Sequence, residues 1–139
     1  MPINPDSIRI AVVDDEDVIL NVFASLMRQH KYHTDLFPNP KEALRAISAH
    51  PKRYDLLVSD IYMGGEDGIT FAKEVRSVLP DLPILFMTGN ESEEIKNKAL
   101  SLGRVAFLAK PFPLVEILGE IVSKFLSEKN NKEITSHGR

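Results

Sequence analysis

Four short apolar runs, at residues 8–13, 55–59, 83–87 and 105–109, constrain this chain more than anything else in it. Their hydrophobicity is largely continuous, not alternating, the pattern of strands covered on both faces in a parallel sheet. A weaker fifth run at 32–37 has room to be an edge strand. Segments with helical spacing lie between the runs. Over 18–27, Ile19, Val22, Phe23 and Leu26 fall on one face; over 69–79, Phe71, Val75 and Val78 do the same, widened by Ala72 and Leu79. Helix starts are marked by Asn39-Pro40-Lys41-Glu42, with a cap, a first-turn proline and a capping-box glutamate, and by Asn90 with Glu93 three residues on. A last helix is expected from Pro113 through Phe125. Five repeats of strand then helix predict one α/β domain, with right-handed crossovers and a five-stranded parallel sheet between helical layers.

Size and composition agree. A chain of 139 residues with 43% hydrophobic and 27% charged residues is long enough for one buried core. The expected organisation is an N-terminal extension over 1–7, a domain over 8–126 and a polar tail over 127–139. A net charge of −3 without a long basic run gives no reason to expect direct nucleic-acid contact. The absence of cysteine excludes disulfides, thiolate nucleophiles and Cys-built zinc sites. The first six residues do not resemble a secretory signal, and no apolar stretch approaches the roughly 20 residues needed to span a bilayer. The expectation is a soluble cytoplasmic domain without membrane contact. His30, His33, His50 and His137 show no metal-ligand spacing and read as surface residues.

The chemistry lies where polar residues end the apolar runs. Asp14 and Asp15 follow the first strand, Asp60 the third, Thr88 the fourth and Lys110 the fifth. In an open parallel sheet these strand ends share one edge, where ligands bind at the reversal of strand order. Three carboxylates gathered there repel, by about 4 kcal/mol per pair at 4 Å and an effective dielectric near 20, unless a cation joins them. Oxygen donors without histidine or sulfur suit Mg²⁺. Lys110 adds a second positive charge and Thr88 a hydroxyl, around a carboxylate able to act as nucleophile. Each piece has a plainer reading: Asp14-Asp15-Glu16-Asp17 can serve as a helix start facing the positive dipole end. Their joint placement at predicted strand ends is what singles them out.

Val12-Val13-Asp14-Asp15-Glu16, Asp60-Ile61-Tyr62-Met63 with Gly68, Met87-Thr88-Gly89 and Phe107-Leu108-Ala109-Lys110-Pro111-Phe112 together resemble the signature of response regulator receiver domains, over about residues 8–126. The resemblance implies a doubly wound (βα)5, flavodoxin-like fold with strand order 2-1-3-4-5, for which a member of this family is a standard example. It implies that Asp60 accepts a phosphoryl group from a sensor histidine kinase or histidine phosphotransfer protein. It further implies that Asp15, Asp60 and the Tyr62 backbone carbonyl bind Mg²⁺, with Asp14 acting largely through water, and that Thr88 and Lys110 hold the phosphoryl oxygens. Thr88 and Phe107 would form a switch that re-aims the surface of the fourth helix, fifth strand and fifth helix toward an effector, an output domain or a second copy. Phe107 as plain core is an equal reading. The Lys110-Pro111 peptide is expected to be cis.

A flavin-binding domain of the same fold class would need a hydroxyl- and glycine-rich loop where Asp14 and Asp15 stand. An aspartyl-phosphate phosphatase would need two aspartates one residue apart, and Asp60-Ile61-Tyr62 fails that pattern. A receiver-shaped interaction domain working without phosphorylation is the nearer alternative. Where the family usually has proline after Met63, this chain has Gly64-Gly65-Glu66, which predicts a looser loop and altered Mg²⁺ affinity. Tyr62 and Asn90 occupy the positions that tune loss of the phosphoryl group in the family. A tyrosine at the first can obstruct the attacking water or simply face solvent. Obstruction predicts slower dephosphorylation than in Tyr62→Asn; equal half-lives of the two phosphoproteins would contradict it.

Overall fold

The computed structural model describes residues 8–63, 66–89 and 92–109, with Glu66 and Asp67 as backbone alone. In chain order the elements are β1 (Arg9–Val13), α1 (Asp17–Gln29), β2 (His33–Phe37), α2 (Pro40–Ala49), β3 (Leu56–Asp60), β4 (Tyr62–Met63), β5 (Glu66–Asp67), α3 (Gly68–Val78), β6 (Ile84–Thr88), α4 (Glu93–Leu100) and β7 (Val105–Ala109). Five strands pair in parallel in the order β2-β1-β3-β6-β7. This is the expected 2-1-3-4-5 arrangement, because β4 and β5 form a separate antiparallel ribbon that only shifts the numbering. The weak run at 32–37 is an edge strand, paired with β1 alone.

The continuous apolar runs are explained by burial on both sheet faces. Ile10, Val12, Leu56, Val58, Leu85 and Met87 share one core with Leu20, Phe23, Leu26 and Met27 of α1. Ala11, Val13, Leu57, Ile84 and Phe86 face the other way, onto a core with Ala43, Ile47, Phe71, Ala72 and Val75 of α2 and α3. Complete burial of a side chain of Leu, Ile or Phe size contributes about 1.5–3 kcal/mol, so the two cores dominate what holds the sheet. Within α1, Phe23 and Leu26 are buried as the spacing predicts, while Ile19 and Val22 are only partly buried. Val78 departs from the expected stripe of α3 and stands exposed at the helix end.

The helix starts follow their caps. The Asn39 side chain accepts from the Glu42 N–H at 2.9 Å, and its amide donates to the Glu42 carboxylate at 2.7 Å, with Pro40 in the first turn. For α4 the expected Asn90 start is corrected: Ser92 is the cap, its hydroxyl accepting from the Ile95 N–H at 3.3 Å. The shorter hydroxyl side chain adjacent to the first turn takes that donor. Asn90, the Lys110-Pro111 peptide and the last helix lie outside the described residues.

Around β2, Asp35 ties three segments together. Its carboxylate accepts from the Arg9 guanidinium at 2.8 Å and from the Tyr54 hydroxyl at 2.7 Å, with Arg53 at 3.8 Å. The Asp55 side chain accepts from the Arg9 N–H at 3.0 Å. Burial, reinforced by the hydrogen bond to Asp35, pushes the Tyr54 phenol up to about 12 from 10.0. The folded chain therefore favours the neutral phenol, and the stability it contributes is present below pH 10 and lost as pH rises from about 10 to 12. Denaturant titrations should show unfolding free energy falling more steeply across that window in the parent chain than in Tyr54→Phe; parallel slopes would refute the assignment.

Candidate functional site

Strand register builds the site. Val13 of β1 lies beside Ser59 of β3, and Asp60 beside Met87 of β6, so the C-terminal ends of the three central strands are level. Pairing runs on past the strand ends. The Asp14 N–H donates to the Phe37 carbonyl at 3.1 Å, and the Ile61 N–H to the Met87 carbonyl at 3.1 Å. Backbone bonds thus hold the chain next to both acids, which fixes where their side chains start.

Asp14, Asp15, Glu16 and Asp60 each offer a carboxylate oxygen, and these lie within 4.8 Å of one another. Asp14 and Asp60 are buried and form the floor, while Asp15 and Glu16 are exposed at the rim. The Asp14 carboxylate accepts from the Glu16 N–H at 2.8 Å, which turns the chain sharply after β1 and brings Glu16 over the cluster. One oxygen of Asp60 accepts from the Tyr62 N–H at 3.1 Å. The Tyr62 ring itself faces solvent, 58% exposed.

The helix-start reading of the acids holds in part. Asp17 opens α1 in its first turn, but Glu16 occupies the cap position without a side-chain cap bond. Asp14 and Asp15 are therefore directed to the cluster and not to the helix. Glu16 is the residue that spacing alone did not single out as a site member. Its signal was present in the run of four acids, but only the folded turn after β1 shows that its carboxylate joins the others, at the exposed rim.

Thr88 ends β6, is almost fully buried, and pairs with Ala109, the last residue of β7. Phe107 is partly buried on the α3 side of the sheet, its ring stacked on Phe86 with centroids 6.1 Å apart. Lys110 lies outside the described residues. The donor set is chemically uniform: four carboxylates in one cluster, with neither histidine nor sulfur among them. Such a set suits a hard, oxygen-seeking divalent cation.

After Asp60 the chain turns through β4 and β5, where Tyr62 pairs with Asp67 and Met63 with Glu66. The segment expected to be looser is thus tied at its base on both sides of Gly64 and Gly65. Gly68 then donates its N–H to the Ile61 carbonyl at 2.8 Å. A Cβ on Gly68 would meet the Asp60 carbonyl oxygen and lie 2.7 Å from that of Ile61. Backbone oxygens cannot move aside as a flexible side chain can, so glycine sets the close approach of α3 to the segment that ends β3. Alanine normally improves a helix by about 1 kcal/mol over glycine; at this position Gly68→Ala should instead destabilise by about 1–3 kcal/mol through overpacking. A denaturation midpoint equal to or above the parent's would refute the argument.

The comparisons with known proteins agree with this geometry. The sequence profile of the response regulator receiver domain matches residues 10–122. Response regulator MprA of Mycobacterium ulcerans is 34% identical over 115 residues, 83% of this chain and 49% of that protein. Two-component response regulator ORR25 of Oryza sativa is 29% identical over 133 residues, 96% of this chain and 19% of that protein. The chain thus spans from about a fifth to about half the length of such curated relatives. Among solved structures, chemotaxis protein CheY4 of Vibrio cholerae superposes with a TM-score of 0.76 at 28% identity, covering 85% of this chain and 98% of that one. The receiver domain of the hybrid histidine kinase CckA gives a TM-score of 0.71 at 32% identity, with the same coverages. Fold, register and sequence lead to one assignment: the chain belongs to the response regulator receiver domain family of two-component signalling.

Proposed function

We propose that this domain is a phosphorylation switch in which Asp60 accepts a phosphoryl group from a sensor histidine kinase or a histidine phosphotransfer protein. The observation that supports this most is the convergence of Asp14, Asp15, Glu16 and Asp60 in one cluster at the ends of β1 and β3. Four carboxylates gathered this closely repel one another, a cost that a shared cation would relieve, and the donor set fits Mg²⁺. Asp15, Asp60 and the Tyr62 carbonyl would hold the ion, with Asp14 largely through water. Bound there, Mg²⁺ would supply neutralisation of phosphoryl charge.

The chain's own residues do the rest. The Tyr62 N–H orients Asp60 by holding one carboxylate oxygen; the other is the nucleophile. Its attack forms a P–O bond as the P–N bond to the donor imidazole breaks. The imidazole nitrogen keeps the electron pair and takes a proton. Thr88 and Lys110 donate to phosphoryl oxygens, and a cis Lys110-Pro111 peptide would set the lysine's approach. Tyr62 and Asn90 border the path of the water that later removes the group. The chemistry ends on the domain itself, so it is a signalling domain and not a turnover enzyme.

The readout is a change of surface. Thr88 is drawn toward the new charge, Phe107 turns further inward from its half-buried place, and the face made by α4, β7 and the following helix is re-aimed. Its partner is an effector, an output domain or a second copy of this domain. Since the chain spans about half or less of the length of many relatives, an output module in the same protein fits this reading. One of those relatives, from Bacteroides fragilis, is named as transcriptional regulatory protein RprY.

Beryllofluoride mimics the acyl phosphate, and the chain has no tryptophan to report binding, so calorimetry is the suitable measurement. Saturable beryllofluoride binding should require Mg²⁺ and be lost in Asp60→Asn. Absence of binding in the parent chain, or equal binding in the variant, would overturn the proposal and favour an interaction domain working without phosphorylation. Mg²⁺ alone at ten times its dissociation constant should stabilise the fold by about 1.4 kcal/mol.

A further inference from the structure

Helix α4 is held very unequally at its two ends. Of its eight residues only Ala99, near the C-terminal end, is buried, and Ile95 is partly so. Leu100 is exposed. Glu93 and Glu94 form the first turn, which is reached from Thr88 through residues 89–92. At the other end the chain closes in a tight turn. The Leu102 N–H donates to the Ala99 carbonyl at 3.0 Å and the Gly103 N–H to the Leu100 carbonyl at 3.1 Å, with left-handed backbone at Gly103 (φ 74°) and Arg104 (φ 52°).

That turn is fastened to the body of the domain by Arg76, in the last turn of α3. Its Nε donates to the Leu102 carbonyl at 3.0 Å and one terminal nitrogen to the Gly103 carbonyl at 2.6 Å. The other terminal nitrogen donates to the Leu79 carbonyl at 3.1 Å and the Leu82 carbonyl at 2.5 Å. One rigid guanidinium therefore joins the end of α3, the lead into β6 and the turn after α4. Hydrogen bonds from a charged group are worth about 1.5–3 kcal/mol each, and the fixed fork of arginine makes four without bending. Burial, and then the nearby charge of Arg104, lower the readiness of this guanidinium to stay charged, so the carbonyls are what keep it in place.

We propose that Arg76 is the fixed pivot of α4: it pins the α4–β7 turn, so that a movement of Thr88 is expressed as a swing of the N-terminal end of α4 and not as a shift of the whole helix. This rests on Thr88 responding to a group on Asp60. Arg76 touches none of the acids and acts only through the carbonyls it holds, as a positioning residue. Without the clamp, the same movement would be shared along the helix and its following turn.

Amide hydrogen exchange, read by mass spectrometry with Mg²⁺ and with and without beryllofluoride, tests this. In the parent chain the exchange rate should change by at least about fivefold at residues 93–96, the low end of common coupling strengths, and stay unchanged at 102–105. In Arg76→Lys, which keeps the charge but loses the fork, the change should extend to 102–105, with beryllofluoride affinity within about threefold of the parent. A parent chain in which both ends respond alike overturns the pivot, and that comparison needs no variant. So does an Arg76→Lys pattern identical to the parent's. Failure of the parent chain to bind beryllofluoride at all overturns instead the reading of Asp60, and calorimetry on the same samples separates the two results.

Discussion

Levelling of parallel strands is the constraint on which the rest depends. β1, β3 and β6 are paired so that Val13, Ser59 and Phe86 lie in neighbouring register, and each strand ends within a residue or two of the others. Side-chain period and two-sided burial fix that register, because a slip of one residue would exchange the two cores. Ala11 and Val13 would then face α1, and Ile10 and Val12 the α2–α3 side. The convergence of acids is a by-product of this packing. Hydrophobic burial supplies the free energy that holds like charges at a spacing they would not adopt unaided.

The two edges of the sheet carry different chemistry. Toward the starts of the strands, Arg9, Arg53, Tyr54 and Asp35 are of mixed sign and mutually bonded. Toward the ends, the described groups that meet are all acidic. Among the described residues, opposite charges are paired at one edge, while acids gather at the other. Such a division fits a domain whose state is set by what binds, since stability and response reside in different residues.

Much of this was legible in the sequence. Continuous apolar runs gave the parallel sheet, because a strand buried on both faces has no polar side to show. The places where those runs stop marked Asp14, Asp15, Asp60 and Thr88. Less legible were features set by local turns. Ser92 and not Asn90 caps α4, a choice between two polar residues that periodicity cannot make. Glu16 joins the acids only because Asp14 bonds the Glu16 N–H. The ribbon of β4 and β5 is too short to show a pattern of two. Nothing in the sequence marks Arg76, since backbone carbonyls from distant segments leave no trace in composition.

The sparse attachment of α4 has an energetic consequence. A helix that commits one fully buried residue to the core forfeits little when it leaves its place. Among the described helices α4 is the one whose displacement would uncover the fewest buried side chains, and two states a few kcal/mol apart leave the minor one populated at roughly 0.1–10%. If the domain switches as proposed, a resting receiver with so lightly held a helix carries a standing background of signal, and a stimulus counts only once it rises above that floor.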